Sequence, residues 1–258
     1  MFRMKLGLIL AVWLVLAFST QTHAIEFKVY FYSTPGEGET ELAYWWTYTA
    51  KSEHSYDYFG ELLDKQGLQQ HSLEVEYGLT DHWTIGGYAD FQQPKDGDFR
   101  YVQARAVVSR YRFFEQGERF LDGAIEVEYN LPREKYSANE ELEARVILEK
   151  DLGQFSIVVN PIFEKDVSGP EVDQGMEFQY ATGLYYRASP RLTPGVEFYG
   201  DMGPLGHLDP KSQQQHYIFP RLGLKFSRSV NLDIGYGFGL TKGSDDQVIK
   251  AILEFEFL

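Results

Sequence analysis

Between Leu73 and Phe91 the chain reads LEVEYGLTDHWTIGGYADF, with apolar and polar positions alternating on both sides of a short turn. Leu73, Val75, Tyr77 and Leu79 share one parity, and Glu74, Glu76 and Gly78 fall between them. After the turn, Trp83, Ile85, Gly87, Ala89 and Phe91 face away from Thr84, Gly86, Tyr88 and Asp90. A repeat of two belongs to a β-strand, so the pattern predicts an antiparallel hairpin with one apolar and one polar face. In a soluble sandwich the apolar face is the core, whereas in a membrane barrel it is the outside.

Twelve segments of this kind are predicted, near 41–50, 69–79, 83–91, 99–112, 120–129, 140–149, 155–164, 176–187, 194–200, 216–226, 232–240 and 248–258. The connections between them alternate in kind. LTDH (79–82), FFEQGER (113–119), KDLGQ (150–154), ASPRLT (188–193) and SRSVN (227–231) are short, and 51–68, 92–98, 130–139, 165–175, 201–215 and 241–247 are generally longer and more polar. An outer-membrane barrel has this layout, with tight turns at the periplasmic rim and long loops outside the cell. The expected fold is all-β: a single antiparallel up-and-down transmembrane β-barrel of about 12 strands over residues 40–258. The preceding stretch IEFKVYFYSTPGEGE (25–39) fits a periplasmic tail, a lumen plug or an extra pairing strand, and its pattern does not choose among them.

The two faces differ in charge. On the apolar parity Leu121, Gly123, Ile125, Val127 and Tyr129, then Leu142, Ala144, Val146 and Leu148, then Ile249, Ala251, Leu253, Phe255 and Phe257 include no charged residue. The opposite parity places Glu74, Glu76, Asp90, Glu126, Glu128, Glu141, Glu143, Arg145, Arg187, Arg221, Lys250, Glu254 and Glu256 on the wall of a lumen. Such an excess of acids favours cations and repels anions if water fills the interior. If the charges pair and close it, the interior is a plug, and twelve strands lie between the filled eight-stranded barrel and the open 16-stranded channel. Gly235, Gly237 and Gly239 share an inward face and are expected to leave room for a solute.

The N-terminus adds the compartment. Arg3 and Lys5 precede an apolar run from Leu6 to Phe18, and Thr22-His23-Ala24 follows, which is the layout of a cleaved signal peptide over residues 1–24. The run is too short for a membrane-spanning helix. Removing it takes the formal net charge from −14 to −16, a poor balance for nucleic-acid binding. There are no cysteines, so no disulfide is available, and no cofactor is called for. Aromatic content is high at 16%, as expected of interfacial girdles. The expected location is the outer membrane, the expected state a monomer, and the expected partners are outer-membrane lipid, the barrel-assembly machinery and a small solute. The final strand, VIKAILEFEFL, resembles the C-terminal signal read by that machinery, with Phe257 one place before the usual terminal aromatic.

The hairpin YGLTDHWTIGGYADF (Tyr77 to Phe91) resembles the outer-membrane transporter family of the phenol meta-degradation pathway, as do NPIFEKD (160–166) and GVEFYGDMG (195–203). The resemblance covers about a third of the chain and implies passive uptake of small organic molecules. Enzyme chemistry finds less support. Twelve strands are similar to the outer-membrane phospholipase, but its His-x-Ser-Asn-Gly pattern does not occur here; His71 and Ser72 are adjacent and point to opposite faces. Asp81-His82 sits in a turn on the periplasmic side, away from the outward-opening site of the outer-membrane proteases. His207 and Asp209 lack a third metal ligand. The function expected is passive transport of small solutes with modest cation preference. The alternative is a non-conducting envelope-structural or surface-interaction barrel, with a lipid-modifying enzyme third.

Overall fold

The structure is a computed structural model that describes residues 26–257; the signal peptide expected over 1–24 lies outside the described residues. The strands are β1 (Thr40–Lys51), β2 (Ser55–Tyr58), β3 (Glu61–Asp64), β4 (Gln69–Thr80), β5 (Trp83–Gln93), β6 (Arg100–Arg112), β7 (Asp122–Pro132), β8 (Glu140–Leu152), β9 (Phe155–Ser168), β10 (Glu177–Tyr186), β11 (Leu192–Pro204), β12 (Gln215–Lys225), β13 (Val230–Gly239) and β14 (Gln247–Phe257). Twelve of them, β1 and β4 through β14, form one closed antiparallel barrel in which β1 pairs with both β4 and β14. Closure pairs the backbone groups of every strand, the condition for burying a sheet in lipid.

The alternation places side chains as the sequence predicts. Leu73, Val75 and Val107 stand outside the wall at 52%, 48% and 60% exposure, while Glu74, Glu126 and Glu128 inside are almost fully buried. Aromatic pairs gather on the outer surface near both rims, Trp46–Tyr48 and Phe91–Phe99 toward the long loops and Phe155–Tyr186 toward the short turns. This is the girdled apolar belt of an outer-membrane barrel.

Segment 51–68, read from sequence as a loop, contains the small hairpin β2–β3. Its turn places Phe59 at φ 58° and Gly60 at φ 87°, both in the left-handed region, which a bulky Phe rarely adopts. Phe59 is held there by the Tyr136 ring at 5.6 Å and the guanidinium groups of Arg100 and Arg133 at 5.3 and 5.4 Å. The Tyr58 hydroxyl donates to the carbonyls of Gln92 and Asp98, so the hairpin lies against the neighbouring outer loops.

Residues 26–35 enter the lumen from the rim of the short turns and end at mid-height. The segment makes no strand pairing. Instead, wall side chains satisfy its backbone: Tyr30 N–H donates to Asn160 Oδ1 at 2.8 Å, Asn160 Nδ2 donates to Tyr30 O at 3.0 Å, and Tyr32 N–H donates to Glu149 Oε2 at 2.8 Å. Of the three options the sequence leaves open, the structure has the lumen plug. Its alternation also has a meaning: Phe27, Val29 and Phe31 pack on the half of the wall with Tyr185, Tyr199, Tyr217 and Phe219, while Tyr30 and Tyr32 pack on the half with Trp45 and Tyr88. The plug leaves the barrel over Gly78, where a β-carbon would collide with the backbone of Gly36, and Asp81 Oδ1 accepts from Glu37 N–H at 3.1 Å. The Tyr-Gly-Leu-Thr-Asp turn therefore anchors the plug's exit.

Candidate functional site

The lumen is the candidate site. Strand alternation carries the acids and bases to its wall, and register decides which of them meet. Arg145 on β8 lies opposite Glu126 on β7, and Arg110 on β6 lies opposite the same Glu126. Arg145 bridges Glu126, Glu128 at 3.3 Å, Glu143 at 2.6 Å and Glu26 of the plug at 2.8 Å. Arg105 joins Glu26 at 2.8 Å, Asp90 at 3.2 Å and Glu128 at 3.5 Å, and Arg110 reaches Glu76 at 2.9 Å. The Tyr30 ring lies 3.8 Å beneath the Arg145 guanidinium. Charge, ring and plug thus fill the middle of the barrel on this side.

A second network occupies the opposite side. Glu197 on β11 accepts from Lys250 and lies 3.3 Å from Arg221, which is 2.9 Å from Asp233. Lys250 also donates to the plug carbonyl of Phe27 at 3.1 Å. Arginine clusters of this kind are held by several carboxylates at once, so removing one partner strands charge that has already lost its water.

Acids also stack in rows. Glu128, Glu143, Glu164 and Glu177 lie directly opposite one another across β7, β8, β9 and β10, and Glu256, Glu41 and Glu76 do so across β14, β1 and β4. Like charges facing across strands are destabilising unless cations or water intervene. The second row lines a cavity of about 180 Å³ near the short turns, bounded also by Tyr30, Phe31, Asp233 and Glu254.

The sequence-predicted residues divide as follows. Glu74, Glu76, Asp90, Glu126, Glu128, Glu143, Arg145 and Lys250 are buried on the inner face, and Arg221 sits there beside Glu197. Glu141 is half-buried near the outer mouth opposite Asn130, and Glu254 and Glu256 line the cavity. Arg187 follows the end of β10 at the rim of the short turns, its side chain 41% exposed; it bridges Asp151 at 2.8 Å and donates to Ser156, which is buried on the inner face. Sequence reasoning missed Glu26, Lys28, Tyr30 and Asn160, because contacts of a plug with the wall leave no periodic trace.

The expected space over the glycines of β13 is also corrected. The Phe219 ring lies against Gly237 and Gly235, and the backbone of Asp245 covers Gly239, so the glycines admit a ring from the adjacent strand and leave no room for a solute. Gly237→Val is expected to collide with Phe219 and destabilise the barrel by about 1–3 kcal/mol. Urea unfolding in detergent micelles measures the loss, and adding Phe219→Ala is expected to recover part of it.

No protein-family model matches the chain, and no curated protein matches it by sequence. Solved structures do match by shape. An outer membrane channel from Pseudomonas putida F1 superposes with a TM-score of 0.61 at 12% identity, over 88% of this chain and 98% of that one. The KdgM porin superposes with a TM-score of 0.58 at 8% identity, over 84% of this chain and 99% of that one. A second KdgM structure, in complex with disordered oligogalacturonate, gives 0.53 at 8% identity over 85% and 99%. Identities this low speak to architecture alone, and the chain has the fold of an outer-membrane β-barrel.

Proposed function

We propose that the protein is a narrow outer-membrane channel for small solutes, with modest cation preference, held at low conductance by its own N-terminal segment. The observation that carries this reading is the nature of the obstruction. Strand side chains such as Arg145, Tyr199 and Phe219 fill part of the interior, but fully buried Tyr30 and Tyr32 belong to a segment outside the ladder, held by side-chain hydrogen bonds. The carboxylate rows support the cation preference, and the resemblance over Tyr77–Phe91 supports small organic molecules as solutes. Purified folded protein in planar bilayers is expected to give small unitary currents whose reversal potential in a KCl gradient lies toward potassium. A reversal toward chloride overturns the lumen's assigned selectivity.

A second reading, a non-conducting structural barrel, is favoured by the Arg145 network alone, which joins wall and plug at mid-height. The absence of any unitary current selects it.

A further inference from the structure

We propose that the lumen contains a binding site for organic ammonium groups, built from Glu74, Trp45 and Tyr30, and that Lys28 of the plug occupies it at rest. The proposal deepens the channel reading by naming a solute class and rests on that reading for its role in transport.

The chain's own ammonium shows what the site accepts. Lys28 Nζ lies 3.1 Å from Glu74 Oε2, 4.3 Å from the centre of the Trp45 ring and 4.7 Å from that of Tyr30. All three partners are buried, at 1%, 7% and 1% exposure. The other oxygen of Glu74 accepts from the Tyr88 hydroxyl, which fixes the carboxylate in place. One desolvated carboxylate with two ring faces suits a weakly hydrated alkylammonium, since the rings contribute through their negative faces. It suits a hard metal ion poorly, because such ions require a shell of oxygen ligands. The surroundings continue the preference: Glu254 and Glu74 flank Ala43 across β14, β1 and β4, one row above Glu256, Glu41 and Glu76. The 180 Å³ cavity, which Lys28 itself lines together with Ile252 and Pro35, gives a short alkyl chain somewhere to lie.

Lys28 is thus a tethered ligand competing with any free amine. Removing its side chain vacates the cage while leaving Glu74, Trp45 and Tyr30 in place. Calorimetric titration of the full-length, detergent-folded protein with n-butylammonium tests this directly. Lys28→Ala is expected to bind at least about tenfold tighter than the wild type, the scale of a desolvated cation–π contact. Sodium chloride at matched ionic strength and 1-butanol are expected not to compete, and adding Glu74→Gln to Lys28→Ala is expected to abolish binding. Folding is verified by heat-dependent migration in gel electrophoresis. If the alanine variant does not give a folded barrel, Lys28→Gln, of similar volume without the charge, takes its place with the same expectation. Equal affinity in variant and wild type, no measurable binding in either, or full competition by sodium overturns the proposal. Calorimetry needs no current, so the two readings fail separately. Binding without conductance removes the channel alone, and conductance without binding removes the ammonium site alone.

Discussion

Deleting residues 26–33 is expected to raise single-channel conductance about fivefold, because it takes the fully buried Tyr30 and Tyr32 out of the interior of the twelve-stranded barrel. The deletion removes one acid, Glu26, and one base, Lys28, so the charge of the lumen is unchanged and the sign of the selectivity with it. It leaves the turn at Gly36 on Gly78 and all barrel ladders intact, since the segment pairs with no strand. Planar-bilayer recordings of deletion and full chain side by side provide the check. Unchanged conductance from a folded deletion variant assigns the closure to the wall and overturns the plug's role.

The largest loss of stability is expected from Arg145→Met. The side chain is 1% exposed and bridges Glu26, Glu126, Glu128 and Glu143, so methionine leaves four carboxylates crowded around an apolar stem. Breaking a buried pair by removing one partner costs about 3–5 kcal/mol, much of it from the charge left behind. Adding Glu126→Gln to Arg145→Met is expected to return a measurable part of that loss, which identifies the cause as stranded charge and not lost packing volume. Urea unfolding in detergent, followed by tryptophan fluorescence, gives both numbers. A loss below about 1 kcal/mol means that lumen water screens the cluster, as at an exposed pair.

The barrel was legible because two signals agree. Glu74 and Glu76 alternate with Leu73, Val75 and Tyr77, and turns such as Thr80–Trp83 alternate with long loops such as 52–68. Both follow from local chemistry, a period of two and the compartment each rim faces. The plug was illegible for the converse reason: Tyr30 is held by Asn160, 130 positions away, and nothing near either residue announces the pairing. Its own alternation suits a strand as well as a peptide between two walls. The same limit applies to charge. Parity places Arg145 on the inner face, but Arg110 comes there only because a β-bulge between Arg105 and Val107 shifts the alternation of β6; register and plug together then give Arg145 four carboxylates, and register gives Arg110 two. The β2–β3 hairpin escaped because Phe59 is a poor residue for a left-handed turn and finds its support in Arg100, Arg133 and Tyr136 from other loops. Gly237 misled because a bare strand position looks vacant until a neighbour's ring is placed on it.

The direction in which the plug is tethered sets who can move it. Its covalent root, from Pro35 to Glu39, sits at the rim of the short turns, fastened to Gly78 and Asp81, while Glu26 at the other end is enclosed by arginines. A molecule that pulls on this root from the rim of the short turns works against the Gly78 and Asp81 hydrogen bonds first and the arginine clasp of Glu26 last.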